Sequence, residues 1–385
     1  MMLDPITLGV IVFILAVISA IVMTITWKMN VKERGLNMWA WAAIIGGLGF
    51  LPLLFVPYIG SYAAVLNNIS TLITPIFILE GIMRFKGYQK ERLRATIYVY
   101  VISIVIFLVI LFRDAPNERF LIFDSVVTVI FLLSAYFLLK NSAGTERNIY
   151  IMSAAAFILM AMAFAGRWVL ALNGAFEANF AAHPYTSFLF LIVIIWTVGW
   201  TYGLSIAVNF RNHNRIMKLA THDYLTGLPN RKYLNDYMEQ LFQEETKEPF
   251  VLFSLDLNGF KQINDTFGHK TGDDVLIKLA DALRDFTWQR YTAVRLGGDE
   301  FVVIVRQPTD QQAIFKKKQE LRQAVECDQS IDIGVINLKI SIGHAAYPSD
   351  GQTIDELLSK ADARMYQEKS VRTQGSQIHS QSYQI

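Results

Sequence analysis

The sequence predicts an all-α membrane bundle of about seven spans, followed by a water-soluble domain in which helices cover a β-sheet. The chain has 385 residues, which is enough for two domains. Hydrophobic residues make up 53% of it and charged residues only 18%, whereas soluble proteins average about 25% charged residues. The apolar excess lies in the first half, and the composition after residue 211 is that of an ordinary soluble domain. We therefore expect a membrane domain at 1–210, a linker at 211–222, a soluble domain at 223–372 and a disordered tail at 373–385.

The first half contains apolar stretches of the length that a membrane-spanning helix needs, about 20 residues. The seven predicted spans are 6–27, 36–56, 61–83, 95–112, 120–139, 149–172 and 186–209. Lysine and arginine are concentrated in the segments that follow the odd-numbered spans, and the alternate loops carry few cations or balanced charges. Because cation-rich loops remain in the cytoplasm, this alternation predicts an external N-terminus and a cytoplasmic C-terminal domain. The expected location is the inner, cytoplasmic membrane, in contact with lipid.

Two ionisable residues fall inside predicted spans, where charge is costly. Asp124 and Arg167 lie near the outer ends of the fifth and sixth spans, at similar depth, so they could form an ion pair. One interpretation is a structural pair, and the other is part of a pocket for an unknown sensory ligand. Transporter repeats and paired intramembrane acids do not stand out, so we interpret this half as a sensor or anchor.

Charge and cysteine content exclude other classes of protein. The formal net charge of +2 is too small to indicate a nucleic-acid partner. Cys327 is the single cysteine, which excludes a disulfide framework and a thiolate metal cluster.

The second half alternates helical and extended patterns, which is typical of an α/β or α+β sheet with covering helices. Asn230 is a candidate cap for the first of these helices. We expect helices at 230–245, 259–266, 272–286, 310–326 and 353–369, and strands at 250–256, 291–296, 300–306 and 336–346.

Carboxylates occur at the ends of two of these strands. Asp256 ends an apolar strand, and Asp299 and Glu300 follow the glycine pair Gly297-Gly298 in a tight turn between two strands. A single such acid is more often a turn or cap residue. Together, carboxylates from neighbouring strands can bind Mg²⁺, which prefers oxygen ligands and neutralises the triphosphate of a nucleotide.

A third segment combines an amide with a second carboxylate. Asn264 offers a donor and an acceptor, and Asp273 offers acceptors only. Each one alone is more often a helix cap or a surface group, but together they match the hydrogen-bonding edge of guanine.

Four motifs in this order and spacing resemble the GGDEF family of diguanylate cyclases. They are Asp223–Arg231, Asp256–Asp273, the signature Gly297–Phe301 and Ala361–Lys369. The resemblance covers residues 221 to 372, and the membrane half resembles the multi-span sensory modules often joined to such domains. It implies a central, mostly antiparallel sheet like the palm of nucleotidyl cyclases, and an enzyme that joins two GTP molecules into cyclic di-GMP.

The resemblance also assigns roles by position. Asp256, Asp299, Glu300 and the Leu257 carbonyl resemble the Mg²⁺ ligands, and Asp299 resembles the catalytic base on the ribose 3′-hydroxyl. The positions that resemble substrate-binding residues are Lys261, Asn264, His269, Asp273, Gly297, Gly298 and Lys369.

Two further expectations follow from the resemblance. Each domain holds one GTP, so the reaction needs two domains face to face and implies a homodimer. The family's inhibitory product site is an Arg-x-x-Asp, and here Trp288 and Tyr291 replace its arginine and aspartate, so no inhibitory site is expected. The alternative function is a catalytically silent nucleotide receptor, although those usually have a damaged signature.

Overall fold

The fold is described from a computed structural model that covers residues 5–60, 62–176, 184–244, 248–287, 291–306, 310–326, 328–331 and 334–381. Contacts within the chain divide it into two compact units, Met1–Asn212 and His213–Ile385, which we call the membrane unit and the C-terminal unit. Helix α8 runs without a break from Pro184 to Thr221, so it extends through most of the linker expected at 211–222.

The described part of the membrane unit is helical throughout its regular structure. Its helices are α1 Pro5–Met29, α2 Leu36–Leu48, α3 Val56–Ile59, α4 Tyr62–Phe85, α5 Glu91–Leu111, α6 Pro116–Leu139, α7 Gly144–Leu172 and α8 Pro184–Thr221. Six of them (α1, α4, α5, α6, α7 and α8) are long and apolar enough to cross a membrane. The described residues therefore contain six helices that could span a membrane, one fewer than the seven spans that the hydrophobic pattern predicted.

The second predicted span, 36–56, is divided into short pieces. It forms the 13-residue α2, a 3₁₀ helix at Leu51–Phe55 and then α3. Pro52 cannot donate a backbone hydrogen bond, which disfavours a continuous helix. The Asn67 side-chain amide donates to the carbonyl of Gly49, the residue after α2, at 2.9 Å, so a neighbouring helix satisfies a carbonyl at the end of α2. The division thus follows from proline and from a side chain supplied by α4.

The C-terminal unit contains a four-stranded antiparallel sheet in the order β2-β3-β1-β6. Its strands are β1 Phe250–Leu257, β2 Tyr291–Gly297, β3 Glu300–Arg306 and β6 Ile340–Tyr347, and a separate hairpin consists of β4 Asp328–Ile331 and β5 Gly334–Asn337. The helices are α9 Arg231–Gln243, α10 Phe260–Phe267, α11 His269–Thr287, α12 Gln311–Val325 and α13 Ile354–Gln381. The antiparallel sheet and its helices confirm the predicted fold class.

Helices cover both faces of this sheet. Alternate residues of β1 face opposite sides, so Phe253 joins a core with α11 and α12, while Leu252 joins a second core with α9 and α13. Because both faces are buried, β1 has a continuous apolar sequence rather than an alternating one. The polar side chains of β1 are therefore exceptional and mark the site described below.

Two details differ from the sequence expectations. The strand expected at 336–346 is two strands, because β5 pairs with β4 and β6 joins the main sheet. Helix α13 continues to Gln381, beyond residue 372, where we expected a disordered tail to begin. The predicted cap is confirmed, since the Asn230 side chain accepts a hydrogen bond from the Tyr233 amide at 3.1 Å.

Candidate active site

The predicted carboxylates meet at one end of the sheet. Asp256 on β1 lies directly opposite Glu300, the first residue of β3, in the antiparallel register. Cross-strand partners lie on the same face of a sheet. The turn that begins β3 contains Gly297 and Gly298, with φ of +151° and +55°, a conformation that favours glycine. The turn therefore places Asp299 and Glu300 next to the end of β1.

Helix α13 adds a cation and a further acid to this face. Lys369 Nζ lies 2.5 Å from Asp256 Oδ1, and the Ser254 hydroxyl donates to Asp362 Oδ1 at 2.6 Å. Asp362 and Ser254 were not assigned by position, although Asp362 belongs to the last recognised motif. Gly343 on β6 permits this approach, because a Cβ at that position would lie 1.9 Å from the carbonyl oxygen of Ala361.

The carboxylates at this end of the sheet lie close enough to repel one another electrostatically. Burial raises the pKa of Asp256, and the Asp299 carboxylate adds to the rise while Lys369 opposes it. Partial desolvation also raises the pKa of Glu300, together with repulsion from Asp362, Asp256 and Asp299. A cation close to these carboxylates would relieve the repulsion.

The donor chemistry of this face fits Mg²⁺. Among the described residues, no three of His, Cys, Asp and Glu are placed to hold a metal by their side chains alone. Mg²⁺ commonly uses only one or two protein carboxylates and takes its other oxygens from water and phosphate. Asp256 and its neighbours, with the carbonyl of the adjacent Leu257, are therefore a suitable oxygen set for Mg²⁺ with a nucleotide.

The segment after β1 forms a compact helical pair. Asn258 and Gly259 connect β1 to α10, and Gly259 has a φ of +77°. Lys261 is exposed in the first turn of α10, where the helix dipole favours anions. The first turn of α10 therefore comes shortly after Leu257, the last residue of β1, whose carbonyl is a predicted metal ligand.

Asn264 and Asp273 come from the two helices of this pair. Gly272 on α11 lies so close to Asn264 that a Cβ there would be 1.9 Å from Asn264 Oδ1. Asn264 is half-buried, and Asp273, the residue after Gly272, is exposed, as is His269 at the start of α11. The structure therefore brings the predicted guanine-binding amide next to the residue that precedes the predicted guanine-binding carboxylate. Gly272 had no assigned role in the sequence analysis.

A buried arginine ties the signature turn to the beginning of the domain. Arg295 donates from Nε and Nη2 to the Gly298 carbonyl at 3.1 and 2.8 Å, and its Nη1 lies 2.7 Å from Asp223 Oδ1. The same Asp223 oxygen accepts from the amide of Thr226 at 2.9 Å. The sequence places Asp223 in the first motif but does not predict its connection with Arg295, because the two residues are 72 positions apart.

Two residues, Trp288 and Tyr291, replace the family's inhibitory site, and the structure describes only the second of them. Trp288 lies outside the described residues. Tyr291 begins β2, its ring centroid lies 5.8 Å from that of Phe286 in a stacked arrangement, and Lys317 Nζ lies 5.1 Å from the Tyr291 ring. Aromatic packing and a lysine therefore surround Tyr291.

The family model described as diguanylate cyclase, GGDEF domain matches residues 220–374. Residues 220–374 form a GGDEF domain. This match confirms the predicted family and includes the candidate active site. The membrane unit precedes the GGDEF domain, in an arrangement that is compatible with a membrane sensor module.

Three known proteins are each similar to about two fifths of the chain. The bifunctional diguanylate cyclase/cyclic di-GMP phosphodiesterase MucR of Pseudomonas aeruginosa is 40% identical over 163 residues, which are 41% of this chain and 23% of MucR. Diguanylate cyclase A of Treponema denticola is 33% identical over 172 residues, which are 43% of this chain and 46% of that protein. The crystal structure of a sensory box/GGDEF family protein from Caulobacter crescentus is 32% identical, with a TM-score of 0.37, over 39% of this chain and 99% of that one. The chain thus spans less than half the length of these two curated relatives.

Proposed function

We propose that the chain is a membrane-anchored diguanylate cyclase, which converts two GTP into cyclic di-GMP and two pyrophosphates. The observation that carries this proposal is the register of Asp256 against Glu300, beside an intact glycine turn that also carries Asp299. In the proposed reaction the ribose 3′-hydroxyl of one GTP attacks the α-phosphate of the other. A new P–O bond forms, the bond to pyrophosphate breaks, and Asp299 accepts the hydroxyl proton. The reciprocal attack by the second 3′-hydroxyl, with Asp299 of the second copy accepting its proton, closes the ring and releases the second pyrophosphate.

Each of the remaining site residues has a proposed task. Asn264 and Asp273 bind the guanine edge with His269 nearby, and Lys261 and Lys369 bind phosphate. Gly297 and Gly298 allow the substrate to approach the turn. Mg²⁺ held by Asp256, Asp299, Glu300 and the Leu257 carbonyl neutralises the triphosphate when it is bound. Lys369 already neutralises part of the carboxylate charge through Asp256.

A homodimer follows from this chemistry, because one domain supplies one GTP. A surface that suits such a contact lies on the last turns of α8. Ile216 and Leu219 are 63% and 71% exposed there, three residues apart on one side of the helix. We propose that two copies meet along this part of α8, with both GGDEF domains on the cytoplasmic side of the inner membrane and the N-terminus outside. This orientation needs an odd number of crossings, so we also propose that α2 and the short helices after it complete a seventh crossing beside the six long helices.

The test is synthesis of cyclic di-GMP by the purified full chain from GTP and Mg²⁺, with the product identified by mass. Asp299→Ala and Asp256→Asn should each reduce the rate more than tenfold and leave the melting temperature of the GGDEF domain nearly unchanged. Asp285→Asn, an exposed acid on α11, is the matched control and should retain activity. Activity above a tenth of wild type in both site variants would refute the two-carboxylate assignment.

The alternative is a catalytically silent nucleotide receptor. It predicts that the wild type binds GTP or cyclic di-GMP without forming product at any protein concentration. The intact carboxylates and glycines favour the enzyme over this alternative.

We also propose that product does not inhibit the enzyme through the family's usual site. Tyr291 cannot replace a carboxylate that accepts hydrogen bonds from a guanine edge, and Trp288 cannot replace a guanidinium fork. Added cyclic di-GMP should leave the initial rate unchanged at low micromolar concentration. Inhibition there that Arg290→Ala removes would contradict this proposal.

A further inference from the structure

Three ionisable side chains lie buried together in the membrane unit. Arg119, Asp124 and Arg167 are 6%, 0% and 5% exposed. We call them the buried charge cluster. Asp124 and Arg167 form the ion pair that the sequence suggested, and Arg119, just before the predicted span 120–139, belongs to the first turn of α6.

One arginine of the cluster, Arg167, hydrogen-bonds to both carboxylate oxygens of Asp124. Arg167 donates from Nε to Asp124 Oδ2 at 2.9 Å and from Nη2 to Oδ1 at 2.6 Å. Both carboxylate oxygens are thus engaged by one guanidinium in the two-pronged geometry that is strongest for this pair. Within the described part of the membrane unit, Arg167 is the partner that balances the negative charge of Asp124.

The charge of Arg119 has no comparable partner in the described part of the chain. Its Nη1 donates to the main-chain carbonyl of Arg113 at 2.5 Å, and no acceptor lies within hydrogen-bonding distance of its Nε. Asp114 attracts it from the surface, but Asp114 is exposed and lies 3.0 Å from Arg113. Glu118, also in the first turn of α6, is exposed to solvent. Among the residues that the structure describes, the buried charge cluster therefore carries one more positive than negative charge.

Aromatic rings surround this surplus charge. The guanidinium carbons of Arg119 and Arg167 lie 5.4 and 4.3 Å from the centroid of the Phe120 ring, and the two cations repel one another. Phe176 packs edge-on against Phe120 at 5.2 Å. Cation–π contacts with these rings offset only part of the free-energy cost of burying a guanidinium. An unmatched buried cation costs several kcal/mol, so its presence indicates a ligand of opposite charge.

We propose that the buried charge cluster binds the oxyanion group of a ligand, a carboxylate or a phosphate, and that Arg119 is the residue that recognises it. A guanidinium binds both groups through paired N–H donors. The position of Arg119 in the first turn of α6 adds the favourable end of a helix dipole. The ligand is either a small soluble anion or an anionic lipid headgroup. Binding of this ligand does not depend on the proposed cyclase activity. Only the role of the ligand as the input signal of the cyclase rests on the proposed function.

The experiment measures the melting temperature of the full chain in phospholipid-free detergent. The additions are 10 mM inorganic phosphate, 10 mM succinate or micellar phosphatidylglycerol, each compared with chloride at equal ionic strength. We expect a rise of at least 3 °C with one of them. Stabilisation by phosphate or succinate assigns a soluble ligand, and stabilisation by phosphatidylglycerol alone assigns a lipid headgroup. The absence of stabilisation by all three overturns the proposal.

Variants separate recognition from a structural role. Arg119→Gln should lose the response and, without added anion, should melt at or above the wild-type temperature, because it removes an unmatched buried charge. Arg113→Gln is the matched control and should keep the response, since Arg119 donates to the main-chain carbonyl of Arg113, which the substitution leaves in place. An Arg119→Gln variant that still responds, or that melts well below wild type without anion, shows a structural arginine and overturns the proposal. The melting readout does not require cyclase activity, so failure of the proposed function leaves this result interpretable.

Discussion

Lys369 and Asp256 are 113 positions apart in the chain and form the closest charged contact of the candidate site. The lysine lies beside a group of carboxylates that includes Asp299, Glu300 and Asp362, whose mutual repulsion raises the pKa of Glu300. One lysine cannot balance several acids together with a triphosphate. At the scale of residues, the site is therefore built to receive further positive charge along with its substrate.

Glu300→Gln should raise the melting temperature of the metal-free GGDEF domain at pH 7.5 and low salt by about 1–3 °C. Partial desolvation and the neighbouring carboxylates raise the folded-state pKa of Glu300 above its ordinary value of 4.5. The stability that this group contributes is therefore complete below the ordinary pKa and is lost as pH rises through the raised pKa. The advantage of Gln should accordingly vanish as the pH falls below about 4.5.

Melting curves between pH 4 and 8 in EDTA test this, with Glu239→Gln on α9 as the exposed control. Added salt should reduce the difference because Glu300 is exposed and its repulsion is screened. A lower melting temperature for Glu300→Gln at pH 7.5, or an advantage that grows as the pH falls, would contradict the repulsion.

At the scale of elements, two glycines set how closely the helices approach the site. Gly343 lets α13 approach β6, and Gly272 lets the Asn264 side chain lie against α11. Both positions have room for hydrogen alone, so close packing of helices determines where Lys369 and Asn264 lie. The functional side chains therefore depend on glycines that have no chemistry of their own.

Gly272→Ala should raise the KM for GTP at least tenfold without destabilising the GGDEF domain. The new methyl group would occupy the place of Asn264 Oδ1, and the flexible amide would rotate away from guanine. Alanine favours a helix over glycine by about 0.5–1 kcal/mol, so the melting temperature should stay equal or rise.

Steady-state kinetics and melting curves of Gly272→Ala, Asn264→Ala and the double variant measure this, with exposed Lys270→Ala as the control. The two substitutions should be non-additive, since both remove the same amide from guanine. Unchanged KM in Gly272→Ala would show that Asn264 does not bind the base.

At the scale of the whole molecule, a helix that begins among the membrane spans reaches the start of the GGDEF domain. Helix α8 has its first residue at Pro184 and its last at Thr221, and Asp223 follows two residues later with its link to the signature turn through Arg295. The proposed reaction needs two such molecules. Membrane anchoring favours their meeting because it raises the local concentration of the second domain.

A double Ile216→Glu, Leu219→Glu variant should lower the activity of the full chain more than tenfold at low density in lipid. Four like charges along the proposed contact would repel, and an exposed apolar surface would be lost. Asn214→Glu, exposed on the other side of α8, is the control and should remain active. Activity and cross-linking of reconstituted protein measure the effect, and full activity of the double variant would exclude this contact.

Reporter fusions should place position 88 inside the cell and position 173 outside. The reason is the alternation of cation-rich and cation-poor loops, which sets orientation during insertion. Fusions after Tyr88 and after Asn173, each made with a reporter active only inside and one active only outside, measure it. The reverse result at either position would refute the proposed orientation.

The sequence by itself determined the membrane half, the fold class of the second half and the family. Apolar length is sufficient to predict the six membrane-capable helices, because a helix in lipid must satisfy its own backbone, and four local motifs are sufficient for the GGDEF domain. Tertiary structure alone decided which residues meet. The division of the second predicted span depends partly on Asn67 from another helix, and the link from Arg295 to Asp223 and the contact of Lys369 with Asp256 join distant parts of the chain. The tertiary structure likewise shows that Arg167 hydrogen-bonds to both oxygens of Asp124, so that this acid does not balance the charge of Arg119. Local patterns encode local conformation, whereas the balance of charge in a buried site depends on every element that folding brings to it.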